Sequence, residues 1–217
     1  MNSDFHNDWG KIAVLVVDIQ NDFCHDDGIF AQQGLDVKPA QEVAPRIQEF
    51  IEEIRQYYAP IIYTKQIEAE AITPANLKRQ FASGKLKAVC TPGSWGSELY
   101  QLQPADGEHV LEKRTYDVFS NPELKRILNE HQVKTLVIAG VNTDVCIDTT
   151  VRRAFTEGYQ IVVPLDLVAT MNKAGAKHYL DVFDRFFGVV LDSKEVLLYL
   201  REHPDMYPGF LHFQKII

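Results

Sequence analysis

Apolar and polar residues follow one another in blocks along this chain. Residues 12 to 19, IAVLVVDI, form a nearly unbroken apolar run rich in β-branched side chains. Such a run has no wet face and predicts a strand covered on both sides. Comparable runs follow as PIIYTKQI (60 to 67), HVLEK (109 to 113), TLVIAGV (135 to 141), QIVVPLDLV (160 to 168) and GVVLDS (188 to 193). Between them the period changes. In PAQEVAPRIQEFIEEIRQYY (39 to 58), Val43, Ile47, Phe50, Ile51 and Ile54 fall on one helical stripe, with charged residues elsewhere. Segments starting at Pro122, Asp144, Lys173 and Ser193 read the same way, and Ser120-Asn121 before Pro122 is a helix start. Strands alternating with helices predict βαβ units, a mostly parallel sheet and a three-layer α/β/α domain with right-handed crossovers. Strand order does not follow from this pattern. The connection from 68 to 108 breaks the alternation, and a loop of that length in a compact domain points to function.

The chain has 217 residues, 46% of them apolar, enough for one sizeable core, and it is read as a single domain over 1–217. A formal charge of -8 leaves no basic footprint for nucleic acid or an anionic membrane, and no apolar run reaches the length of a membrane span. Three cysteines, Cys24, Cys90 and Cys146, sit in no metal-ligand or disulfide spacing, which suits a reducing cytoplasm. MNSDFHNDWG at the start has no basic n-region followed by an apolar stretch, so no export signal is expected. The final HPDMYPGFLHFQKII is rich in large apolar side chains and must pack somewhere, for example on a neighbouring subunit.

Ligands of open parallel sheets bind beyond the carboxyl ends of the strands. Three ionisable residues fall there: Asp18 near the end of the first run, Lys113 at the end of VLEK, and Cys146 just past TLVIAGV. A cysteine at a helix start meets the positive end of the helix dipole, and a neighbouring lysine also favours the nucleophilic thiolate. Asp18 is suited to take the thiol proton and return it to a leaving nitrogen, with Lys113 holding the carboxylate. Packing suits the cysteine equally well on spacing alone, as capping suits the aspartate and solvation the lysine. Gln20, two residues after Asp18, would share its face in an extended strand and touch substrate or the charged residues. Phe23 and Tyr116, close in sequence to Asp18 and Lys113, are the first candidates for apolar pocket wall, ahead of Trp95 and Phe119. Thr143 and Asp144 suit helix caps, and Cys24 and Cys90 suit packing.

The stretches VLVVDIQNDFC (14 to 24), VLEKRTYDVF (110 to 119), AGVNTDVCIDTT (139 to 150) and FFGVV (186 to 190) resemble, in order, the motifs of the isochorismatase-like cysteine hydrolases. That family includes nicotinamidases, N-carbamoylsarcosine amidases and ureidoacrylate amidohydrolases. The resemblance implies a six-stranded sheet of order 3-2-1-4-5-6 and an Asp18-Lys113-Cys146 triad. It also implies a non-proline cis peptide at Val141-Asn142, with the backbone amides of Asn142 and Cys146 facing an oxyanion. The expected activity is hydrolysis of a C-N bond in a small amide, ureido or N-carbamoyl compound through a thioester, with no cofactor and with a homo-oligomeric assembly, a dimer or tetramer. Vinyl ether hydrolysis, or a non-catalytic small-ligand-binding role, are the alternatives.

Nicotinamidases of this type hold a metal through an Asp and several His after the second strand. Here no histidine lies between His25 and His109, so no such metal site is expected. GIFAQQGLDV (28 to 37) and LKRQFASGKLKAVCTPGSWG (77 to 96) look most like the ureido-acid and N-carbamoyl branch. Lys78, Arg79, Lys85 and Lys87 stand out there as cations in an acidic chain, and one of them suits a substrate carboxylate.

Overall fold

A computed structural model describes residues 9–69, 71–84 and 87–207. Seven strands carry the sheet: β1 (Ile12–Val17), β2 (Ile61–Gln66), β3 (His109–Lys113), β4 (Thr135–Val141), β5 (Gln160–Pro164), β6 (Val168–Ala169) and β7 (Val189–Leu191). All described pairings in the sheet are parallel, in the order β3-β2-β1-β4-β5-β7, with the two-residue β6 alongside β4. The expected order therefore holds, with β7 as the sixth strand of the path. The run from 160 to 168 is not one strand. Pro164 closes β5, Leu167 N-H donates to Pro164 O at 3.0 Å in a turn, and the chain re-enters the sheet as β6.

The helices are α1 (Asn21–Cys24), α2 (Ile29–Gln32), α3 (Lys38–Arg55), α4 (Ala75–Ala82), α5 (Pro122–Glu130), α6 (Asp148–Thr156), α7 (Lys173–Phe186) and α8 (Ser193–Glu202). The stripe read from the sequence is the one α3 buries: Val43, Ile47, Phe50, Ile51 and Ile54. Helix α5 begins at Pro122, capped by Asn121, whose side-chain oxygen accepts from the Glu123 amide.

Side chains of β1 alternate between two apolar layers. Ile12, Val14 and Val16 pack with Ile47, Ile51 and Ile54 of α3 and with Val196 and Leu200 of α8. Ala13, Leu15 and Val17 pack with Leu124 and Ile127 of α5, Val151 and Ala154 of α6, and Phe183 of α7. Helices thus cover both sheet faces, and each fully buried Leu, Ile or Val contributes about 1.5–3 kcal/mol of transfer free energy. Gly140 lets β4 approach β1 closely, because a Cβ there would lie 2.1 Å from Val17 O. Among the described residues no helix is long and apolar enough to cross a membrane. Most of the apolar tail, residues 208–217, and Lys85 lie outside the described residues.

Candidate active site

Strand β1 ends because Asp18 takes a left-handed backbone (φ 55), a region Asp enters more readily than most residues. Its carboxylate turns into the protein and is 1% exposed. Thr64 Oγ1 donates to Asp18 Oδ1 at 2.8 Å, and Lys113 Nζ lies 2.7 Å from Asp18 Oδ2. Lys113, 2% exposed at the end of β3, also donates to Gln66 Oε1 at 2.8 Å and Thr115 O at 3.0 Å, and lies 3.6 Å from Cys146 Sγ. The three residues chosen from the sequence therefore meet around one ammonium group.

Cys146 lies in a π-type turn, Thr143–Ile147, that leads from β4 into α6. No side chain caps this turn, contrary to the expectation for Thr143 and Asp144. Asn142 O accepts from the amides of Val145 and Ile147, while Asp144 Oδ1 is engaged by Thr170 Oγ1 at 2.6 Å. The wider π turn lets backbone carbonyls satisfy the entry to the helix, and Asp144 is left to tie the turn to the loop after β6. The Val141-Asn142 peptide is cis.

Burial pushes the Cys146 thiol up, with Lys113 pulling against it and Asp18 reinforcing it. Burial pulls Lys113 down, but Asp18 and Cys146 beside it outweigh that and keep the ammonium above its ordinary value. A buried thiol needs a base to release its proton, and Asp18 is a buried carboxylate beside it.

A cavity of about 110 Å³ opens over this cluster, room for a small molecule, since a water needs roughly 10–15 Å³ of such space. Asp18, Gln66, Glu68, Asn142 and Cys146 form its polar wall; Phe23, Phe30, Phe81, Val89, Val141 and Val145 form the apolar one, with Tyr116 and Lys87 completing it. Phe23 and Tyr116 thus stand where the sequence suggested. Trp95 does not: it is 50% exposed and packs edge-on against His25. Phe119 is core, beside Tyr159. Of the four cations considered, Lys87 lines the cavity; Lys78 lines an adjoining hollow shared with Glu68 and Phe81.

Gln20 is also absent from the wall. The chain leaves the extended conformation at Asp18, so the two side chains no longer share a strand face. Gln20 is fully buried; its Nε2 donates to Gln66 O (3.0 Å) and Ser97 O (2.9 Å), and its Oε1 accepts from Gln66 N (2.7 Å). It acts as a substitute strand partner, pinning the residue that holds Lys113. Sequence reasoning missed Thr64, Gln66 and Glu68. Glu68 is 5% exposed and accepts from Val89 N at 3.0 Å and, weakly, from Gln66 Nε2 at 3.4 Å. Burial raises its carboxyl, opposed by those two hydrogen bonds. Among the described residues no group of three or more His, Cys, Asp or Glu is arranged to hold a metal ion.

Comparison with known proteins finds a matching family and similar folds. The isochorismatase domain family matches residues 12–195. The ureidoacrylate amidohydrolase RutB of Pantoea ananatis is 32% identical over 170 residues, which is 70% of this chain and 67% of that protein. The N-carbamoylsarcosine amidase of Thermoplasma acidophilum superposes with a TM-score of 0.69 at 26% identity, over 84% of this chain and 96% of that one. A cysteine hydrolase of Pseudomonas syringae shares the fold, with a TM-score of 0.77 at 22% identity over 91% and 94% of the two chains.

Proposed function

The chain belongs to the isochorismatase domain family, and on that premise we propose that it is a cysteine-dependent hydrolase of a C-N bond in a small amide, ureido or N-carbamoyl compound. Amidohydrolases among its relatives support C-N hydrolysis. The observation that carries the cysteine chemistry is the Asp18-Lys113-Cys146 cluster, with Lys113 Nζ 2.7 Å from the carboxylate and 3.6 Å from the sulfur.

In this mechanism the Cys146 thiol proton passes to Asp18 as sulfur bonds to the substrate carbonyl carbon. Negative charge moves to the carbonyl oxygen, toward the backbone amides of Asn142 and Cys146. The C-N bond then breaks as Asp18 returns its proton to nitrogen, releasing ammonia or an amine. Water attacks the thioester formed from an amide, or the thiocarbamate formed from a ureido or N-carbamoyl compound; Asp18 takes the water proton, the C-S bond breaks, and sulfur recovers the proton. Lys113 stays an ammonium throughout, holding the Asp18 carboxylate and offsetting charge as it builds on sulfur. Lys87 at the rim is suited to meet a substrate carboxylate. The occupant is a small molecule, and a homo-oligomeric assembly belongs to the same proposal.

The test is ammonia release from a panel of carbamoyl, ureido and simple amide compounds. Wild type is expected to release ammonia from at least one class while Cys146→Ala releases none; turnover retained in Cys146→Ala would sink the mechanism.

A further inference from the structure

Glu68 is a buried carboxylate that the mechanism above does not use. Removing a carboxylate from water is costly unless its oxygens are bonded. Two donors reach it, the Val89 amide at 3.0 Å and the Gln66 amide at 3.4 Å, whereas a carboxylate offers about four acceptor positions. The remaining capacity belongs to a group on the wall of the same cavity as Cys146. Gln66 cannot turn its amide oxygen that way, because Lys113 engages it. A second acceptor lies nearby: Asn142 also lines the cavity, and its Oδ1 is buried without a hydrogen-bond partner among the described residues. The complement of such a wall is a ligand with several N-H donors around one carbonyl.

Geometry at the leaving nitrogen gives the same answer. For C-N cleavage, the nitrogen lone pair must face the acid that protonates it, which is Asp18. Its N-H bonds then point away from Asp18, and a neighbouring acceptor is needed to hold them. We infer that Glu68, assisted by Asn142 Oδ1, accepts N-H hydrogens of the substrate and so selects compounds that present an unsubstituted carbamoyl -CO-NH2 group to Cys146. This rests on the hydrolase reading for its chemistry, though the binding it describes needs no turnover. Loss of such a partner leaves buried acceptors unmet, and discrimination of this kind commonly exceeds tenfold.

A matched pair of probes isolates the contact: N-carbamoylglycine and N-acetylglycine differ only by -NH2 in place of -CH3. Both are titrated into Cys146→Ala and into Cys146→Ala/Glu68→Gln. In the double variant the Val89 amide claims the Gln oxygen, so the cavity meets an NH2 group and donor faces donor. Cys146→Ala is expected to bind the carbamoyl compound at least ten times more tightly than the acetyl one, and the double variant to bring that ratio within about threefold. Cys146→Ala/Glu68→Asp, which keeps acceptor-only chemistry, is expected to retain part of the preference. A merely structural role lowers both affinities together and leaves the ratio intact. That result, or no preference in Cys146→Ala, overturns the inference. Wild-type turnover is read separately: carbamoyl binding through Glu68 with no ammonia release fails the hydrolase reading alone, and ammonia release with an unchanged ratio fails this inference alone.

Discussion

Strand β1 runs through two chemical settings within seven residues. From Ile12 to Val17 every side chain is apolar and buried, and the two faces are closed by different helices. At Asp18 the burial is the same, but the side chain is a carboxylate held by Thr64 and Lys113. The middle of the sheet asks only for apolar volume, which many residues supply. At its carboxyl edge Asp18, Thr64, Gln66 and Lys113 each pair with another of the set. A substitution in the middle should therefore cost stability without touching chemistry, and one at the edge should cost both.

The largest expected effect is on turnover. Asp18→Asn removes the base and acid while keeping the shape, and kcat should fall about 10²–10⁴-fold. A variant within a few-fold of wild type would show that the thiol proton goes elsewhere.

Next comes stability. Lys113→Met leaves the Asp18 carboxylate buried without its cation and should destabilise the fold by about 3–5 kcal/mol in chemical denaturation. Ile47→Val in the apolar layer should cost only about 0.5–1.5 kcal/mol and leave kcat unchanged. Equal losses at the two places would erase the distinction between edge and middle.

Gln20→Leu sharpens it further, because the residue touches no reacting atom. Losing three hydrogen bonds to Gln66 and Ser97 should loosen Gln66 and with it Lys113, lowering kcat about 10-fold or more with little change in KM. A change confined to thermal stability would reduce Gln20 to a packing residue.

A pH-dependent effect lies with Cys24 and Cys90. Burial raises both thiols well above an ordinary thiol. The folded state disfavours their thiolates, so their contribution is intact below the unfolded value of about 8.5 and is lost as pH rises above it. Each thiol is worth at most about 1.4 kcal/mol per pH unit. Denaturation midpoints at pH 8 and 10 should show this loss, and Cys90→Ala should reduce it.

The same contrast explains what was legible in the sequence. The apolar middle announces itself by periodicity: the α3 stripe and the β1 run appear in the structure as read. Asp18, Lys113 and Cys146 stand out by their place at the carboxyl ends of apolar runs, and the family motifs carry the same three residues. Thr64, Gln66 and Glu68 were missed although a signal was present. They are polar residues at a spacing of two along the end of β2 and just past it, and such a ladder puts alternate residues on one face, with Lys65 on the other. Averaging the run as apolar hid it. Gln20 was misread for a backbone reason, since the left-handed turn at Asp18 has no mark in side-chain pattern. The break in β5 was legible in Pro164, which the apolar run outweighed.

The central claim is that Cys146 carries the acyl group. The most direct measurement is acid quenching during turnover of a carbamoyl substrate, followed by peptide mass mapping. The account predicts an adduct on the peptide carrying Cys146 with the mass of the substrate less ammonia, absent from Cys146→Ala, which is also inactive. Turnover by Cys146→Ala, or steady turnover with no adduct on that peptide under any quench time, would contradict it.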